Sequence, residues 1–139
     1  MIVTVTELAG TRTHDHLLAA FARESQTTHR YLWFAQQADV DGRPDAAAVF
    51  RALAESETGH AAGHLEFLAD VADPITGAPI TDTTERLAAA SAAEAREAAD
   101  LYPRWADVAR EEGLGEVADW FDNVAAADRR HAERLADLR

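Results

Sequence analysis

Glu57-Thr-Gly-His60 sets a carboxylate and an imidazole three residues apart in a stretch with helical spacing. Three steps along a helix turn about 300°, so the two side chains leave one face, one turn apart, where they can hold a common cation. Asp128-Arg-Arg-His131 repeats the arrangement near the C-terminus. Each turn interrupts an apolar stripe stepping by threes and fours: Phe50, Leu53, Glu57, His60, His64 and Phe67 in one case, Val117, Phe121, Val124, Asp128, His131, Leu135 and Leu138 in the other. Three further carboxylates interrupt apolar seams. Glu24 lies among Leu17, Phe21, Thr28, Tyr31, Ala35 and Ala38, and Glu94 and Glu97 share a face with Leu87, Ala90 and Leu101.

Taken singly, each of these seven residues has an ordinary explanation: Glu24 paired with an arginine, either histidine as a satisfied core imidazole, Glu97 solvated. Taken together they bring five carboxylates into one helical domain, where each buried, unpaired charge costs several kcal/mol. Two divalent or trivalent cations remove that difficulty. Oxygen-rich ligation with two imidazoles suits iron or manganese better than zinc, which prefers four-coordinate nitrogen and sulfur sites. One carboxylate from each of two helices, with an acid-x-x-His turn from each of the other two, is the dinuclear pattern of helix bundles.

Four long helices must position these groups. The first is predicted from about Thr13 to Val40, and Asp41-Gly42-Arg43-Pro44 stops it and restarts the chain. The second runs from Pro44 to about Ala72. Asp73 to Asp82, with two prolines and a glycine, is the one clear loop of any length. The third starts near Thr83 or Thr84, both plausible N-caps, and continues to Glu112; Gly113-Leu114-Gly115 turns into the fourth, which fills the remainder.

The two halves read as copies. A shift of 71 residues lays Tyr31 on Tyr102, Gly42 on Gly113, Phe50 on Phe121, His60 on His131, and Glu57 on Asp128. Alanines 35, 38, 47, 54 and 61 also meet alanines. Before Tyr31 the register slips, because Glu24 needs a shift of 70 to meet Glu94. One extra residue therefore lies between Glu94 and Tyr102. A π-bulge there is expected, re-aiming the face, bringing Glu97 to the centre and relieving the missing donor of Pro103.

The 139 residues contain no cysteine, which excludes disulfides, thiol nucleophiles and Cys-ligated metals. All thirteen basic residues are arginine. A formal charge of −12 argues against nucleic acid and anionic membrane as partners. The opening Met1-Ile-Val-Thr-Val-Thr-Glu7 has too short an apolar run for a signal peptide, and no segment approaches a membrane span. A single all-α domain over 1–139 in a cytoplasmic setting is expected.

Several motifs then carry a family resemblance: Gly10-Thr-Arg-Thr13, Leu17 to Gln26 through Arg30-Tyr31, Glu57-x-x-His60, the Glu94 and Glu97 pair, Tyr102-Pro103 followed by Ala109-Arg-Glu-Glu-Gly113, and Asp128-x-x-His131. Across nearly its whole length the chain resembles the ferritin-like di-iron domain of rubrerythrins. The resemblance implies a four-helix bundle with a dinuclear metal site at its centre. Glu24, Glu57, Glu94 and Asp128 are then carboxylate ligands. One iron shifts between Glu97 and His60 with redox state, His131 holds the other, and Tyr31 and Tyr102 hydrogen-bond around the site. It also implies an oxidoreductase that reduces hydrogen peroxide to water. The alternatives are ferroxidase or iron-handling chemistry with dioxygen as oxidant, and a structural bundle with a vestigial site. Manganese or a mixed pair is the alternative to two irons.

Three departures follow from the residues. Asp128 stands where the family usually has Glu and is one methylene shorter. With no cysteine in these residues a rubredoxin module is not expected here, and the resemblance then implies electrons from an external, rubredoxin-like donor. The connection between helices two and three is short: about ten residues reach about 35 Å extended, against about 39 Å for a 26-residue helix. A homodimer exchanging helix pairs is therefore expected, each site drawing on two chains. His14, His16, His29, His64, Trp33, Trp105 and Trp120 are read as caps, packing or interface residues.

Overall fold

Thr11 opens the first long helix by accepting the backbone N–H of His14 at 3.0 Å while its hydroxyl donates to the Leu8 carbonyl at 2.8 Å. The structure is a computed structural model and describes residues 5–139. Residues 1–4, part of the stretch judged too short for a signal peptide, lie outside the described residues. A one-turn helix α1 (Val5–Leu8) precedes α2 (Arg12–Val40) and α3 (Pro44–Ala69). After the loop come α4 (Thr83–Arg96), a π-helical segment (Glu97–Leu101), α5 (Tyr102–Glu111) and α6 (Gly115–Ala136). There is no strand among the described residues. The chain divides into two compact units, the first ending at Val71 and the second beginning at Ala72.

The first unit is a hairpin of α2 on α3. Its seam is built from small residues at heptad spacing: Ala47, Ala54 and Ala61, followed by Leu68, are buried on α3 against Thr28, Ala35 and Ala38 of α2. Alanine lets two backbones approach closely without a side-chain entropy penalty. The ligand-bearing stripe lies beside this seam rather than on it. Leu53 and Phe67, expected on the inner face, are 42% and 54% exposed, because the alanine face is the one turned to the hairpin partner.

In the second unit α4, the π segment and α5 form one long arm packed on α6, with Ala98, Ala106, Ala109, Ala118, Ala125 and Ala132 buried. Ser91 donates to the Ala132 carbonyl at 3.1 Å across the hairpin. Ala90, expected on the inner face, is exposed, and Ala89 is buried in its place. The N-cap of α4 is Asp82, whose Oδ1 accepts the Glu85 N–H at 2.8 Å, not Thr83 or Thr84.

The internal repeat survives in the coordinates of each unit. Gly42 and Gly113 take φ +71° and +76°, the left-handed geometry that ends a helix most easily without a Cβ. Across these turns Arg43 N–H donates to Ala38 O and Leu114 N–H to Ala109 O, both at 2.7 Å. Tyr31 tilts on Phe50 with ring centroids 5.8 Å apart, as Tyr102 does on Phe121 at 5.7 Å. Arg51 pairs with Asp39 in the first hairpin, Arg110 with Asp122 in the second. At the shift of 71 these are the same two positions with the charges exchanged.

Candidate metal centre

Each hairpin gathers two carboxylates and one imidazole. In the first, His60 Nδ1 lies 3.3 Å from Glu24 Oε2 and 3.3 Å from Glu57 Oε2. In the second, His131 Nδ1 lies 3.4 Å from Glu94 Oε2 and 3.7 Å from Asp128 Oδ1. Within each triad one ligand atom per residue falls within 4.8 Å of the others. The repeat thus produces the same donor set twice, an acid from the first helix of the hairpin and an acid-x-x-His turn from the second.

The carboxylates are more enclosed than the imidazoles. Asp128 is only 7% exposed, whereas the side chains of His60 and His131 are each 57% exposed. Glu24 Oε2, Glu94 Oε2 and Asp128 Oδ2 are enclosed without a hydrogen-bond partner. Glu24 Oε2 lies 3.3 Å from His60 Nδ1, as far as Glu57 Oε2 does, so a protonated His60 ring pairs with both acids. An acceptor buried without a donor costs about 1–3 kcal/mol, more when charged, so these oxygens call for a cation. Two carboxylates and one imidazole per hairpin are the donors that iron or manganese accepts.

Glu97 joins the second triad. Burial raises its pKa above the ordinary carboxyl value, reinforced by the charges of Asp128 and Glu94 and a hydrogen bond with Asp128. The Tyr102 phenol is also raised, by burial and then by Glu97, Asp128 and Glu94, so it stands against the same cluster. Tyr31 packs on Phe34 and Phe50. Glu24 is lowered, chiefly through the neighbouring Glu57 carboxyl, then through His60, with His64 adding a smaller pull. His64, one turn beyond His60, reads from the sequence as a packing residue with a role around the ligands as the alternative, and its pull on Glu24 is the smallest of these effects. His64 meets Leu135 at the repeat shift, and that substitution of a polar for an apolar residue was the available signal.

The π segment is what lets Glu97 take part. Tyr102 N–H donates to Glu97 O, five residues back, and absorbs the extra residue between Glu94 and Tyr102 just before Pro103. Deleting exposed Ala99 should turn the arm into continuous α-helix and rotate Glu94 and Glu97 by about 100° away from Asp128 and His131. Circular dichroism should show helix content retained while equilibrium dialysis shows loss of metal at this triad; retained binding would mean that the segment does not aim the ligands.

The His60 pKa is raised, first by its hydrogen bond to Glu57 and then by Glu24, against an opposing effect of burial. In metal-free protein this pairing stabilises the fold below the ordinary imidazole pKa near 6.5 and is lost as pH rises through the elevated folded value. Metal binding needs the neutral ring and strengthens in the same direction. The gain in melting temperature on adding Mn²⁺ should therefore grow between about pH 6 and pH 8, and a gain independent of pH would exclude His60 as a ligand.

Long paired helices carrying carboxylate-imidazole triads define a helical protein with two groups that could hold a metal ion. The chain belongs to the rubrerythrin family, whose model matches residues 15–139. It is 39% identical to a rubrerythrin of Porphyromonas gingivalis over 135 residues, covering 94% of this chain and 68% of that protein. A rubrerythrin of Nitratidesulfovibrio vulgaris is 37% identical, with 94% and 71% covered. Nigerythrin of the same organism is 29% identical, with 88% and 63% covered. The family's domain is ferritin-like and binds a di-iron centre, and its members are generally peroxide-reducing oxidoreductases. No described helix is long and apolar enough to cross a membrane.

Proposed function

We propose that residues 1–139 form one rubrerythrin-like di-iron domain that reduces hydrogen peroxide to water, drawing electrons from an external rubredoxin-like donor protein. The observation that carries the reading is the pair of equivalent triads whose buried carboxylate oxygens lack donors. Glu24, Glu57 and His60 would hold one ion, Glu94, Asp128 and His131 the other, with Glu97 available beside them. When bound, the two irons supply the electrons that cleave the peroxide bond.

The protein's part is charge and protons. Each peroxide that becomes two waters consumes two protons with its two electrons. The Glu97 carboxyl, raised by burial and by its acidic neighbours, keeps a proton further towards neutral pH than an ordinary glutamic acid and can release it at the cluster. Tyr102 retains its phenolic proton beside Glu97 and can donate a hydrogen bond to an oxygen there. Tyr31, Phe34 and Phe50 on one hairpin, and Tyr102, Trp105 and Phe121 on the other, pack as ring clusters, with Tyr31, Phe50 and Phe121 about two turns along their helices from Glu24, Glu57 and Asp128.

The working form is a cytoplasmic homodimer, and the charge of −12 supports neither nucleic acid nor anionic membrane as partner. Stopped-flow oxidation of the ferrous protein tests the reaction: peroxide should oxidise it much faster than dioxygen. The reverse order would favour iron handling.

A further inference from the structure

We infer that His64 is a second imidazole ligand of the first hairpin, completing with His60, Glu57 and Glu24 a four-donor site for an imidazole-preferring divalent ion of the zinc class. This rests on the reading of the first triad as a metal site and adds what decides which ion that hairpin prefers.

Helical geometry puts His64 on the ligand stripe. Around the axis of α3 it lies about 20° from Glu57 and about 40° from His60, and it stands about 6 Å beyond His60 along the helix. A helical side chain leans towards the N-terminal end of its helix, so His64 leans over the turn that carries His60. Two histidines four residues apart on one helix face have the spacing with which a helix chelates a single transition-metal ion. Glu24, across the hairpin on α2, feels the charge of His64, in keeping with a ring on the side of α3 that meets α2.

Nothing else holds the ring. His64 is half-buried, yet no hydrogen bond or ion pair among the described residues engages it, whereas His60 is paired with Glu24 and Glu57 and His29 lies 3.3 Å from the Ser25 carbonyl. Ligand atoms of Glu24, Glu57 and His60 lie within 4.8 Å of one another, and His64 stands outside that group. Turning it inward breaks no hydrogen bond and gives a partly enclosed imidazole a partner.

The two hairpins differ in their additional donor, and in opposite senses. At the shift of 71 His64 meets Leu135, so the second hairpin has no imidazole there. Glu97, which bears on Asp128 and Glu94, meets Gln26 at that shift and Thr27 at the shift of 70, so the first hairpin has no carboxylate there. The first set is two acids and two imidazoles, the second three acids and one imidazole. Two nitrogens and two carboxylate oxygens form a set that four-coordinate zinc accepts, and the two negative charges balance a divalent ion. Imidazole suits zinc, nickel and copper, whereas carboxylate suits manganese. The first hairpin therefore prefers zinc to manganese, and zinc competes with iron there more strongly than at the second.

Zn²⁺ and Mn²⁺ binding to wild type and to His64→Leu tests the assignment. The variant carries the residue of the matching position in the second hairpin, and leucine is a good helix former, so the melting temperature of metal-free protein should be retained. Competition titrations against a chromogenic chelator should show the tightest Zn²⁺ site weakened by more than the roughly 10- to 100-fold that loss of an outer partner costs, with Mn²⁺ affinity little changed. X-ray absorption at the zinc edge, on protein given substoichiometric Zn²⁺, should count two imidazoles per zinc in wild type and in His131→Ala, but one in His64→Leu. One imidazole per zinc in wild type would overturn the ligand role of His64 and leave the first triad standing. Zn²⁺ and Mn²⁺ affinities that fall together in His64→Leu would overturn it too, since a packing role weakens both. Binding of both ions unchanged by His60→Ala would remove the metal reading of the first triad, and the part of His64 with it.

Discussion

His131→Ala protein should bind one metal per chain instead of two and lose peroxide turnover by on the order of 10²-fold or more. His131 is the one imidazole of the second triad, 3.4 Å from Glu94 and 3.7 Å from Asp128. Without it Glu94, Asp128 and Glu97 are left as an all-acid cluster, whose mutual repulsion grows when no imidazole is present to share the metal. The side chain is more than half exposed, so its truncation leaves packing almost untouched and the melting temperature of metal-free protein should hardly move. Elemental analysis and steady-state peroxide consumption read the two effects. His64→Leu, which installs the residue found at the equivalent position of the second hairpin, should keep both metals. Equal losses in the two variants would show that the histidines act through packing.

Asp128→Asn should move stability in opposite directions with and without metal. Asp128 is buried, has one oxygen without a donor, and bears on the Glu97 carboxyl together with Glu94. An amide of the same shape removes a confined charge, and the metal-free fold should gain about 1–3 kcal/mol in urea denaturation. The same change removes an anionic ligand, so the stabilisation by added Mn²⁺ should largely disappear. A metal-free variant less stable than wild type would mean that Asp128 serves the fold through partners other than a cation.

The clustering of these side chains was legible because helical spacing imposes it. Acid-x-x-His at one helical turn, repeated at a shift of 71, leads to two triads, and both form. The slip from 71 to 70 before Tyr102 was legible for the same reason: an inserted residue in a helix must go somewhere, and it forms the π segment at Glu97–Leu101. What misled was size. Large apolar residues such as Leu53 and Phe67 drew the core to their stripe, whereas the seam inside each hairpin belongs to alanines. Alanine scarcely registers in an apolar pattern, yet it allows the closest approach of two helices. The cap of α4 was missed because Asp82, Thr83 and Thr84 all suit an N-cap, and only the geometry selects Asp82. The tight fold of the α3–α4 connection was equally hidden, since Asp73 and Thr76 reveal a clamped turn only once their hydrogen bonds are seen.

The central claim is that both triads are metal sites. Anomalous diffraction from crystals of iron- or manganese-loaded protein tests it directly. The account predicts metal peaks at two places, one bound by Glu24, Glu57 and His60 and the other by Glu94, Asp128 and His131. Metal bound away from both triads, or triads left empty in metal-loaded crystals, would contradict it.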